Sequence, residues 1–502
     1  MSGANTLESL ELPDVPHGWA WAKLSELGKL DRGRSRHRPR NAKHLYGGPY
    51  PFVQTGDIRE AVTFIHNFTQ TYSEAGLEQS HLWPAGTLCI TIAANIAETA
   101  ILGLDACFPD SVVGFLPDDD HVSARYVEYY MRTLQQTLER IAPATAQKNL
   151  NLATLREVPI AIPGRKTQQD IVDKLDELFS DLDAGVAALK RARANLRRYR
   201  ASVLKSAVEG RLTAAWRSAN PGVEPATELL ARILRERRQR WEQQQLATYE
   251  SKGKKPPKNW QSKYKEPAAP DTANLPQLPN GWCWATVEQL GTINEQAVLT
   301  GPFGSSLGRN DFVEQGVGVL TIGCLTSGGL IWDKANYVTP EKADELSRYR
   351  LETGDLLFSR SASVGRVGIV TPEFAGCIVN YHLMRLRLAS EVIDPRFFMT
   401  WVRGSSVVVS YLKEVNHGAT RDGINTKSLL GMPVALPPIL EQVEIGSQID
   451  VQSSIIHVTD SAITTNEIRS NKLRQCILKC AFEGRLLEPA SSVTRLVESS
   501  CL

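Results

Sequence analysis

The sequence has few cysteines, and none of them stands at the spacing that a zinc site requires. Eight cysteines occur among the 502 residues, and no two form a Cys-x-x-Cys pair or accompany histidines at metal-ligand spacing. We therefore expect reduced thiols, most of them buried. The sequence also lacks an uninterrupted run of about 18 apolar residues, and its first 16 residues lack the basic start and apolar core of a signal peptide. A cytoplasmic protein without a membrane span is predicted.

Motifs for phosphate binding and for nucleophilic catalysis are also missing. No Gly-x-x-x-x-Gly-Lys-[Ser/Thr] loop and no dinucleotide-binding glycine pattern occurs, so the sequence assigns no nucleotide cofactor. Residues 304–308 fit the Gly-x-Ser-x-Gly nucleophile pattern, but the residues before them do not read as a buried strand. The acidic triplet at residues 118–120 follows a proline and is interpreted as a surface turn. No metal site and no catalytic residue is predicted.

One sequence unit occurs twice in the chain. Residues 12–28, LPDVPHGWAWAKLSELG, return as residues 275–291, LPQLPNGWCWATVEQLG, 263 positions later. Self-similarity of this length signals duplication of a structural unit. The later landmarks are displaced by 274 positions: Asn151, Leu155, Pro159 and Pro163 match Asn425, Leu429, Pro433 and Pro437, and the Glu-Gly-Arg-Leu motif of residues 209–212 matches residues 483–486.

Each module is followed by a segment with a seven-residue apolar repeat, which is typical of coiled coils. The repeat in the second segment is weaker and partly polar, so we interpret this helix as the partner of the first. Two amphipathic helices, each docked on its own module, remain the alternative. The core positions are Leu175, Leu182, Leu189, Leu196 and Val203 in the first segment, and Ile449, Ile456, Ile463 and Ile477 in the second.

The predicted fold is α+β: two duplicated α/β modules joined by two long helices, which form an antiparallel coiled coil with pseudo-two-fold symmetry. Strands are expected at residues 51–53, 88–92 and 356–358, and helices at residues 126–141 and 395–411. The expected boundaries are residues 12–164 for the first module, 165–214 for the first spacer helix, 215–274 for a helical and basic linker, 275–438 for the second module, 439–487 for the second spacer helix and 488–502 for a C-terminal tail.

Charge is sorted along the chain although the formal net charge is only +2. Residues 29–44 carry seven Lys/Arg against one Asp, residues 186–206 carry seven against none, and residues 231–265 carry eleven against three Glu. Such clusters favour binding to a polyanion. The first cluster has arginines at every second position, which suits a loop that contacts phosphates. The third is low in apolar residues and is interpreted as a linker with nonspecific phosphate contact as an alternative.

Several motifs together resemble the specificity subunit of type I restriction-modification systems, over almost the whole chain. The first module ends differently from the second: residues 163–168 read PGRKTQ and lack the second proline and the glutamate of the LPPxxEQ motif that ends the second module. The motifs are LRRYR at residues 196–200, AVEGRLTAAWR at residues 207–217, AFEGRL at residues 481–486, GPFGSSL at residues 301–307, GDLLFSR at residues 354–360 and LPPxxEQ at residues 436–442.

The resemblance implies that each module is a target recognition domain that reads one half of a split DNA sequence, and that the helices set the distance between the halves. It also implies a non-catalytic subunit that binds no cofactor itself. Two modification subunits would methylate adenine with S-adenosylmethionine, and two restriction subunits would use ATP and Mg to translocate and cut DNA. The helix stripe and the Glu-Gly-Arg-Leu motif occur twice, so we expect two docking sites and two modification subunits per chain.

The candidate DNA-contacting residues are basic or polar side chains in expected loops, since such side chains contact phosphates or read base edges. Two other functions remain open: a nuclease or methyltransferase with an unrecognised site, and a duplicated scaffold without a nucleic-acid role. The candidates are Arg34, Arg36, Arg38, Gln54, Thr55 and Lys148 in the first module, and Ser305, Ser306, Arg309, Arg360 and Arg421 in the second.

Overall fold

The computed structural model of the chain describes residues 14–93, 96–141, 150–293, 295–304, 306–326, 328–360, 365–417 and 423–488. The chain divides into two compact units, residues 1–192 with 462–502 and residues 193–461. Each unit contains one repeated module and a part of both long helices.

The module of the first unit consists of short strands and helices. The expected strand at residues 88–92 and the expected helix at residues 126–141 are present as β6 and α3. The strands are β1 Ala20–Lys23, β2 Gly28–Arg32, β3 Tyr46–Phe52, β4 Phe64–Ile65, β5 Gln70–Tyr72, β6 Leu88–Thr91, β7 Thr99–Leu102, β8 Val112–Pro117 and β9 Pro159–Ile162. The helices are α1 Thr55–Glu60, α2 Glu74–Glu78, α3 Ala124–Ile141 and α4 Leu152–Arg156.

A five-stranded sheet in the order β2-β8-β6-β7-β4 forms the centre of this module. Strand β4 pairs in parallel with β7, and the other neighbours are antiparallel. Along β6, Leu88 and Ile90 pack in one apolar cluster with α3, while Cys89 packs in another cluster on the opposite face. The strand is therefore buried on both faces, which explains its nearly continuous apolar sequence.

Three helices follow the first module: α5 Arg165–Val208, α6 Ala214–Ala219 and α7 Ala226–Ser251. Helix α5 begins in the first unit and ends in the second. Residues 215–274 were expected to be a helical and basic linker, and they contain α6 and α7. Helix α7 belongs to the second unit and buries Leu229, Leu230 and Ile233 in its core, at the three-to-four-residue spacing of a packed helix face.

The module of the second unit has more strands than the first. The expected helix at residues 395–411 is two helices, because Ser405 is extended and its hydroxyl accepts a hydrogen bond from Val408 N–H, which caps the second. The strands are β10 Cys283–Thr286, β11 Val298–Thr300, β12 Phe312–Val313, β13 Val317–Leu320, β14 Leu325–Thr326, β15 Gly329–Leu330, β16 Asn336–Val338, β17 Leu356–Ser359, β18 Val367–Ile369, β19 Ile378–Val379, β20 Leu383–Leu386 and β21 Pro433–Leu436. The helices are α8 Val287–Leu290, α9 Pro340–Glu345, α10 Pro395–Gly404, α11 Ser406–His417, α12 Thr426–Leu430 and the long α13 Ile439–Phe482.

The central sheets of the two modules have the same strand order. Four antiparallel strands run β11-β20-β17-β18 in the second unit, as β2-β8-β6-β7 do in the first. The second module adds a mixed sheet in the order β12-β16-β13-β19. Helices and sheets occur together in both units, which confirms the α+β prediction.

Each module closes through one antiparallel pair formed by its first and last strands. In the first unit β1 pairs with β9, which places Trp21 opposite Ala161. In the second unit β10 pairs with β21, which places Trp284 opposite Ala435. The landmarks displaced by 263 positions thus contain the first strand of each pair, and the landmarks displaced by 274 positions contain the last strand.

A short capped helix precedes the last strand of each module. The Asn151 side chain accepts a hydrogen bond from Thr154 N–H at the start of α4, and Asn425 accepts one from Ser428 N–H at the start of α12. The leucine four residues after each asparagine is buried. The repeated Asn-xxx-Leu-xxx-Pro landmark is therefore a helix cap, a core residue and the start of the closing strand.

A buried glutamine joins each long helix to its own module. Gln168 is 1% exposed, and its Nε2 donates to the carbonyls of His121 and Pro163 at 2.9 and 3.0 Å. Gln442, 274 positions later, makes the equivalent pair of bonds. Since a buried amide without partners is costly, these bonds fix the first turn of α5 and of α13 against the loop before α3 or α10.

The Glu-Gly-Arg-Leu motifs end the two long helices. Gly210 follows α5 with φ of +68°, and Gly484 follows α13 with φ of +74°, the left-handed conformation that favours glycine at a helix C-terminus. A Cβ on Gly210 would lie 2.7 Å from Pro279, and one on Gly484 would lie 2.5 Å from Pro16. The end of α5 therefore lies against the start of the second module, and the end of α13 against the start of the first.

Parts of α5 and α13 pack together in each unit. In the second unit Arg193 Nε lies 3.3 Å from Asp460 Oδ1, and the Tyr199 hydroxyl donates to Gln452 Oε1 at 2.7 Å. Residue numbers rise along α5 as they fall along α13, so the helices run antiparallel within this unit. In the first unit Arg474 of α13 forms an ion pair with Asp183 of α5.

The nine predicted seam residues lie at packed positions of these helices. Leu175, Ile463 and Ile477 are buried. The half-buried ones are Leu182, Leu189, Leu196, Val203, Ile449 and Ile456. The apolar repeat thus marks faces that the helices bury fully or in part.

The sequence features without assigned chemistry are structural in the described residues. All seven described cysteines are free, and burial raises the pKa of Cys283 and of Cys377 to about 11, so both thiols are protonated at neutral pH. The acidic triplet at residues 118–120 is an exposed turn, as predicted. Of the two tryptophans at matching positions of the repeat, Trp282 is buried and Trp19 is half-buried.

Within the described ranges, no helix has an apolar stretch of membrane-spanning length. In the same ranges, no group of three or more His, Cys, Asp or Glu side chains is placed to hold a metal.

A buried carboxylate holds the end of α5 in the second unit. Glu441 is fully buried and accepts hydrogen bonds from the Thr213 hydroxyl at 2.7 Å, from Trp282 Nε1 at 3.0 Å and from Arg217 Nη2 at 2.7 Å. The corresponding residue of the first repeat is Thr167, so the first repeat has no carboxylate at this position.

Replacement of Glu441 by alanine should destabilise the second unit, because it leaves the Arg217 guanidinium without its carboxylate. Loss of one partner of such a buried ion pair costs about 3 to 5 kcal/mol. Hydrogen exchange read by mass spectrometry should accelerate about 100-fold or more in peptides covering α7 and β10. Thr167→Ala is the matched control and should leave exchange in the first unit nearly unchanged. Equal exchange in the two variants would contradict this role for Glu441.

Candidate nucleic-acid interface

Three strand ends meet at one edge of the central sheet in the second unit. The register pairs Thr300 of β11 with Met384 of β20, and Ser359 of β17 with Leu383 of β20. Because β11 and β17 both run antiparallel to β20, their C-terminal ends lie beside the N-terminal end of β20. The loops there share one surface, which we name edge 2: residues 301–304, 306–309, 360 and 380–382.

Edge 2 carries an exposed cluster of aromatic and basic side chains. The Arg360 guanidinium carbon lies 5.4 Å from the ring centroid of Phe303. The Tyr381 ring lies 6.3 Å from the Phe303 ring and 3.8 Å from the His382 ring. Phe303 is 56% exposed and Tyr381 is 38% exposed. Exposed aromatic faces beside a cation suit a ligand that has flat rings and negative charge, as nucleic acid does.

Backbone contacts fix the position of this cluster. The Arg360 N–H donates to the carbonyl of His382 at 3.0 Å, and Ile424 N–H donates to the carbonyl of Arg360 at 2.9 Å. Gly301 lies so close to the next segment that a Cβ would meet Val379 O at 2.3 Å. The sequence therefore needs glycine where the loop leaves β11, and the loop is held at the sheet edge.

The cations of edge 2 are free to meet a ligand. Neither Arg360 nor the exposed Arg309 has a carboxylate partner among the residues that the structure describes. Ser306 is exposed, and its N–H donates to the carbonyl of Phe303 at 2.8 Å. Burial lowers the pKa of His382, and the positive charge of Arg360 lowers it further. The His382 ring is therefore neutral at neutral pH and serves as an aromatic surface beside Tyr381.

The first module has the equivalent edge. Its register pairs Arg32 of β2 with Val113 of β8, and Thr91 of β6 with Val112 of β8. The carbonyl of the residue after Thr91 accepts a hydrogen bond from Leu150 N–H at 2.9 Å, as Arg360 does from Ile424. We name this surface edge 1: residues 32–45, 54–55 and 92.

The arginines of edge 1 differ in how far they are already bound. Arg36 is exposed and has no partner among the described residues. Arg34 Nη2 lies 3.5 Å from Asp31, and Arg38 Nη1 donates to the carbonyl of Ser35 at 2.7 Å. Of the three arginines predicted to contact DNA, Arg36 is the one that no neighbouring group holds.

The basic loop of edge 1 is anchored at its first residues. A Cβ on Gly33 would lie 2.3 Å from Pro109 O, so the loop starts in close contact with the segment that contains Pro109. The Arg34 N–H then donates to the carbonyl of Phe108 at 3.1 Å. These contacts place the following arginines at the sheet edge, although no helix or strand contains them.

Gln54 and Thr55, two further predicted DNA contacts, lie close to this loop. Val53 N–H donates to the carbonyl of Cys107 at 2.8 Å, one residue from the position that holds the basic loop. Both side chains are half-buried, and Gln54 Nε2 donates to Thr69 Oγ1 at 3.4 Å. The Gln54 amide is thus available at edge 1, with one weak bond to break.

Three predicted residues remain, and two residues at the edges were not predicted from the sequence. Lys148, Ser305 and Arg421 lie outside the described residues. Arg32 is exposed and its guanidinium has no partner among the described residues, and its place as the first of the alternating arginines was a signal. Tyr381 gave no such signal, because only the strand register brings it to Phe303.

A family model described as the type I restriction modification DNA specificity domain matches residues 16–189 and 315–465, which is more than half of the chain. The chain belongs to this family. Its relatives include the StySPI specificity subunit of Salmonella potsdam, 22% identical over 486 residues that cover 94% of this chain and 90% of that protein. The EcoKI specificity subunit of Escherichia coli strain K12 is 21% identical with the same coverage. The resemblance noted from the sequence motifs is confirmed.

Solved structures of this family share the fold. A chain from a study of complex assembly and conformational transition of the type I R-M system matches with a TM-score of 0.65 at 16% identity, covering 95% of this chain and 100% of that chain. The HsdS subunit from Thermoanaerobacter tengcongensis matches with a TM-score of 0.52 at 15% identity, covering 95% and 99%.

A second surface lies on α13, away from both edges in the sequence. Five apolar side chains at helical spacing are between 50% and 67% exposed, and they recur on one side of the helix. These residues form the α13 stripe: Leu440, Val443, Val451, Ile455 and Val458. The equivalent positions on α5 are mostly polar: Lys166, Gln169, Glu177, Asp181 and Ala184. The heptad argument missed the stripe because it followed the buried seam.

Substitution Arg360→Gln should raise the pKa of His382, because it removes the nearby positive charge that disfavours the protonated ring. The pKa should move toward the ordinary value and remain below it, since burial still opposes protonation. The measurement is an NMR titration of the His382 ring, assigned with His382→Gln. Arg309→Gln removes an equal charge from the same edge and should leave this pKa unchanged. A pKa that ignores Arg360→Gln would contradict the geometry of the cluster.

Proposed function

We propose that the chain is the DNA-recognising subunit of a type I restriction-modification complex, in which edge 1 and edge 2 each read one half of a bipartite DNA sequence. The observation that carries this proposal is the equivalence of the two edges. In both modules, unpaired arginines stand at the same end of the same central strands: Arg32 and Arg36 at edge 1, and Arg309 and Arg360 at edge 2.

The side chains at these edges have the chemistry that DNA recognition requires. Arginine guanidinium groups contact phosphates, and they also pair with the O6 and N7 atoms of guanine through two parallel hydrogen bonds. The Gln54 amide matches the donor and acceptor of an adenine edge in the same way. Phe303 and Tyr381 offer apolar ring faces to a base or a sugar. Phosphate contacts supply affinity, and the base contacts supply sequence preference.

We further propose that the long helices hold the two edges at a fixed separation, as an antiparallel coiled coil with pseudo-two-fold symmetry. Support comes from the helices themselves, since α5 and α13 each span 44 residues and have residues in both units. A fixed spacer makes the gap between the two half-sites part of the recognised sequence, as half-site spacing is for dimeric DNA readers.

The partners in this proposal are two modification subunits and two restriction subunits. The seam residues were the expected docking positions; because three of them are buried and six are half-buried, we propose the more exposed α13 stripe for partner contact. A modification subunit would cover this apolar face, because a stripe of this size is costly to leave in water. The second modification subunit would contact the equivalent, largely polar face of α5.

Catalysis belongs to the partners in this proposal. The chain would bind no cofactor, and its partner subunits would use S-adenosylmethionine, ATP and Mg in the cytoplasm. The role of this chain is to place a modification subunit on DNA at a defined sequence, through contacts at the two edges and along the helices.

Substitutions at one edge should relax one half-site only. The complex of this chain with modification subunits is mixed with a random DNA library, and the bound DNA is sequenced. The wild type should select two conserved blocks separated by a fixed gap. Arg360→Gln should weaken base preference within one block by about 1 to 3 kcal/mol if it contacts a base. Arg36→Gln should do the same within the other block.

The two variants serve as controls for each other, because each removes one exposed guanidinium from an equivalent edge. Relaxation of the same block by both variants would contradict the assignment of one half-site to each module. Selection of no conserved blocks by the wild-type complex would contradict the proposed function as a whole.

The chain should bind two modification subunits at saturation, which analytical ultracentrifugation measures directly. The double variant Val451→Asp and Ile455→Asp should lose one of them, because it places charge in the proposed apolar interface. The matched double variant Glu177→Gln and Asp181→Asn changes the equivalent positions of α5 and should retain the subunit on α13. A wild-type complex with one modification subunit would contradict this stoichiometry.

A further inference from the structure

The segment between the two modules forms an ordered extension of the second unit. We name residues 226–265 the basic extension. Its first half is α7, which buries Leu229, Leu230 and Ile233 in the core of the unit. Arg237 joins α7 to the second module, since its Nη1 donates to the carbonyl of Glu288 at 2.8 Å. The extension is therefore attached firmly to the second unit, so α7 fixes the position from which the outer residues of the extension start.

The chain turns back along α7 after the helix ends. Gly253 has φ of +62°, and Lys254 N–H donates to the carbonyl of Tyr249 at 2.9 Å, which closes the helix with a glycine cap. The returning chain brings the Trp260 ring to 5.8 Å from the Trp241 ring in a stacked arrangement. Tyr264 lies 5.3 Å from the same ring. This aromatic contact holds the lysines between Trp241 and Tyr264 in a compact turn.

The exposed cations of the extension outnumber its acids and are left without partners. Arg232 and Arg238 make ion pairs with glutamates. In contrast, eight further cations are exposed and have no carboxylate partner among the residues that the structure describes. They are Arg235, Arg240, Lys252, Lys254, Lys255, Lys258, Lys263 and Lys265.

Eight unpaired charges of one sign on a short, folded segment repel one another. The aromatic contact ties the segment that carries Lys252 to Lys263 back to α7, so the repulsion among these charges persists in the free protein. A ligand with closely spaced negative charges would relieve it and release counterions. The arrangement therefore favours a polyanion.

The surroundings of these cations decide which polyanion fits. Within the extension Leu246 is the single exposed large apolar side chain, and none is exposed among residues 252–265. Protein interfaces have an apolar or aromatic core, and membrane-bound segments insert apolar side chains. Neither is offered here. Lysines act as point charges that do not discriminate between bases, which suits the regular phosphates of a DNA duplex.

We propose that the basic extension is an additional DNA-binding surface, which contacts the phosphates of a duplex without reading its sequence. This inference does not require edge 1 or edge 2 to read DNA. It assigns a binding role to the part of the chain between the two modules, most of which the family match does not cover.

The test compares full-length variants on a duplex of random sequence, with affinity measured by fluorescence anisotropy over a range of salt concentrations. The variant carries Lys252→Gln, Lys254→Gln, Lys255→Gln and Lys258→Gln. Each lost phosphate contact lowers the slope of log affinity against log salt by about 0.9. A fall of about 3.6 is expected if all four contact phosphates. Replacement of the same four lysines by arginine should restore the slope of the wild type.

A matched control neutralises four exposed lysines elsewhere. These are Lys334, Lys413, Lys472 and Lys479, and their replacement by glutamine should leave the slope unchanged. An extension variant with the wild-type slope, or with no greater fall than the control, would overturn the inference. Selection of two conserved sequence blocks should persist in the extension variant, so loss of sequence reading and loss of this surface are separate results.

Discussion

The antiparallel pairing of the first and last strands of each module is the constraint on which the rest of the structure depends. Because β9 returns to β1 and β21 returns to β10, each long helix starts beside the beginning of its own module, where a buried glutamine fixes its first turn. The end of the other long helix reaches the same place, with Gly484 against Pro16 and Gly210 against Pro279. The helices therefore attach to the closing strands, and edges 1 and 2 are formed by the ends of other strands. Loops at the edges can differ between modules without disturbing the attachment.

Charge at the edges divides into bonds that shape the protein and groups that remain for a ligand. In the basic loop, Arg40 Nη2 donates to both carboxylate oxygens of Asp110, and Arg38 Nη1 donates to carbonyls of its own loop. Those bonds hold an irregular segment in one conformation, at the cost of making these arginines less available. The Arg36 guanidinium has no described partner, and the bonds of the neighbouring arginines fix the loop that carries it. A loop in which every arginine were free would have to lose more conformational entropy on binding.

The sequence was sufficient for the duplication, the α+β composition and the two long helices, because these depend on local spacing and on repeated landmarks. It was not sufficient where the decisive contact is distant along the chain. Whether an arginine is free depends on partners such as Asp110, 70 residues from Arg40. Tyr381 meets Phe303 only through the register of β11 and β20. On α13, both a buried seam and the exposed α13 stripe are apolar, so a heptad count alone could not tell which of them faces water.

Comparison of the two copies separates what closes a module from what the chain does once. The capping asparagine, the buried glutamine and the left-handed glycine occur in both copies, and each satisfies a backbone requirement that any such module has. The Glu441 network, the α13 stripe and the basic extension occur in one copy among the described residues. None of these is required for closure, since the first unit closes with Thr167 in place of Glu441. Of these three differences, the Glu441 network is buried and acts within the second unit, whereas the α13 stripe and the basic extension are exposed and are the surfaces to which we assign partners.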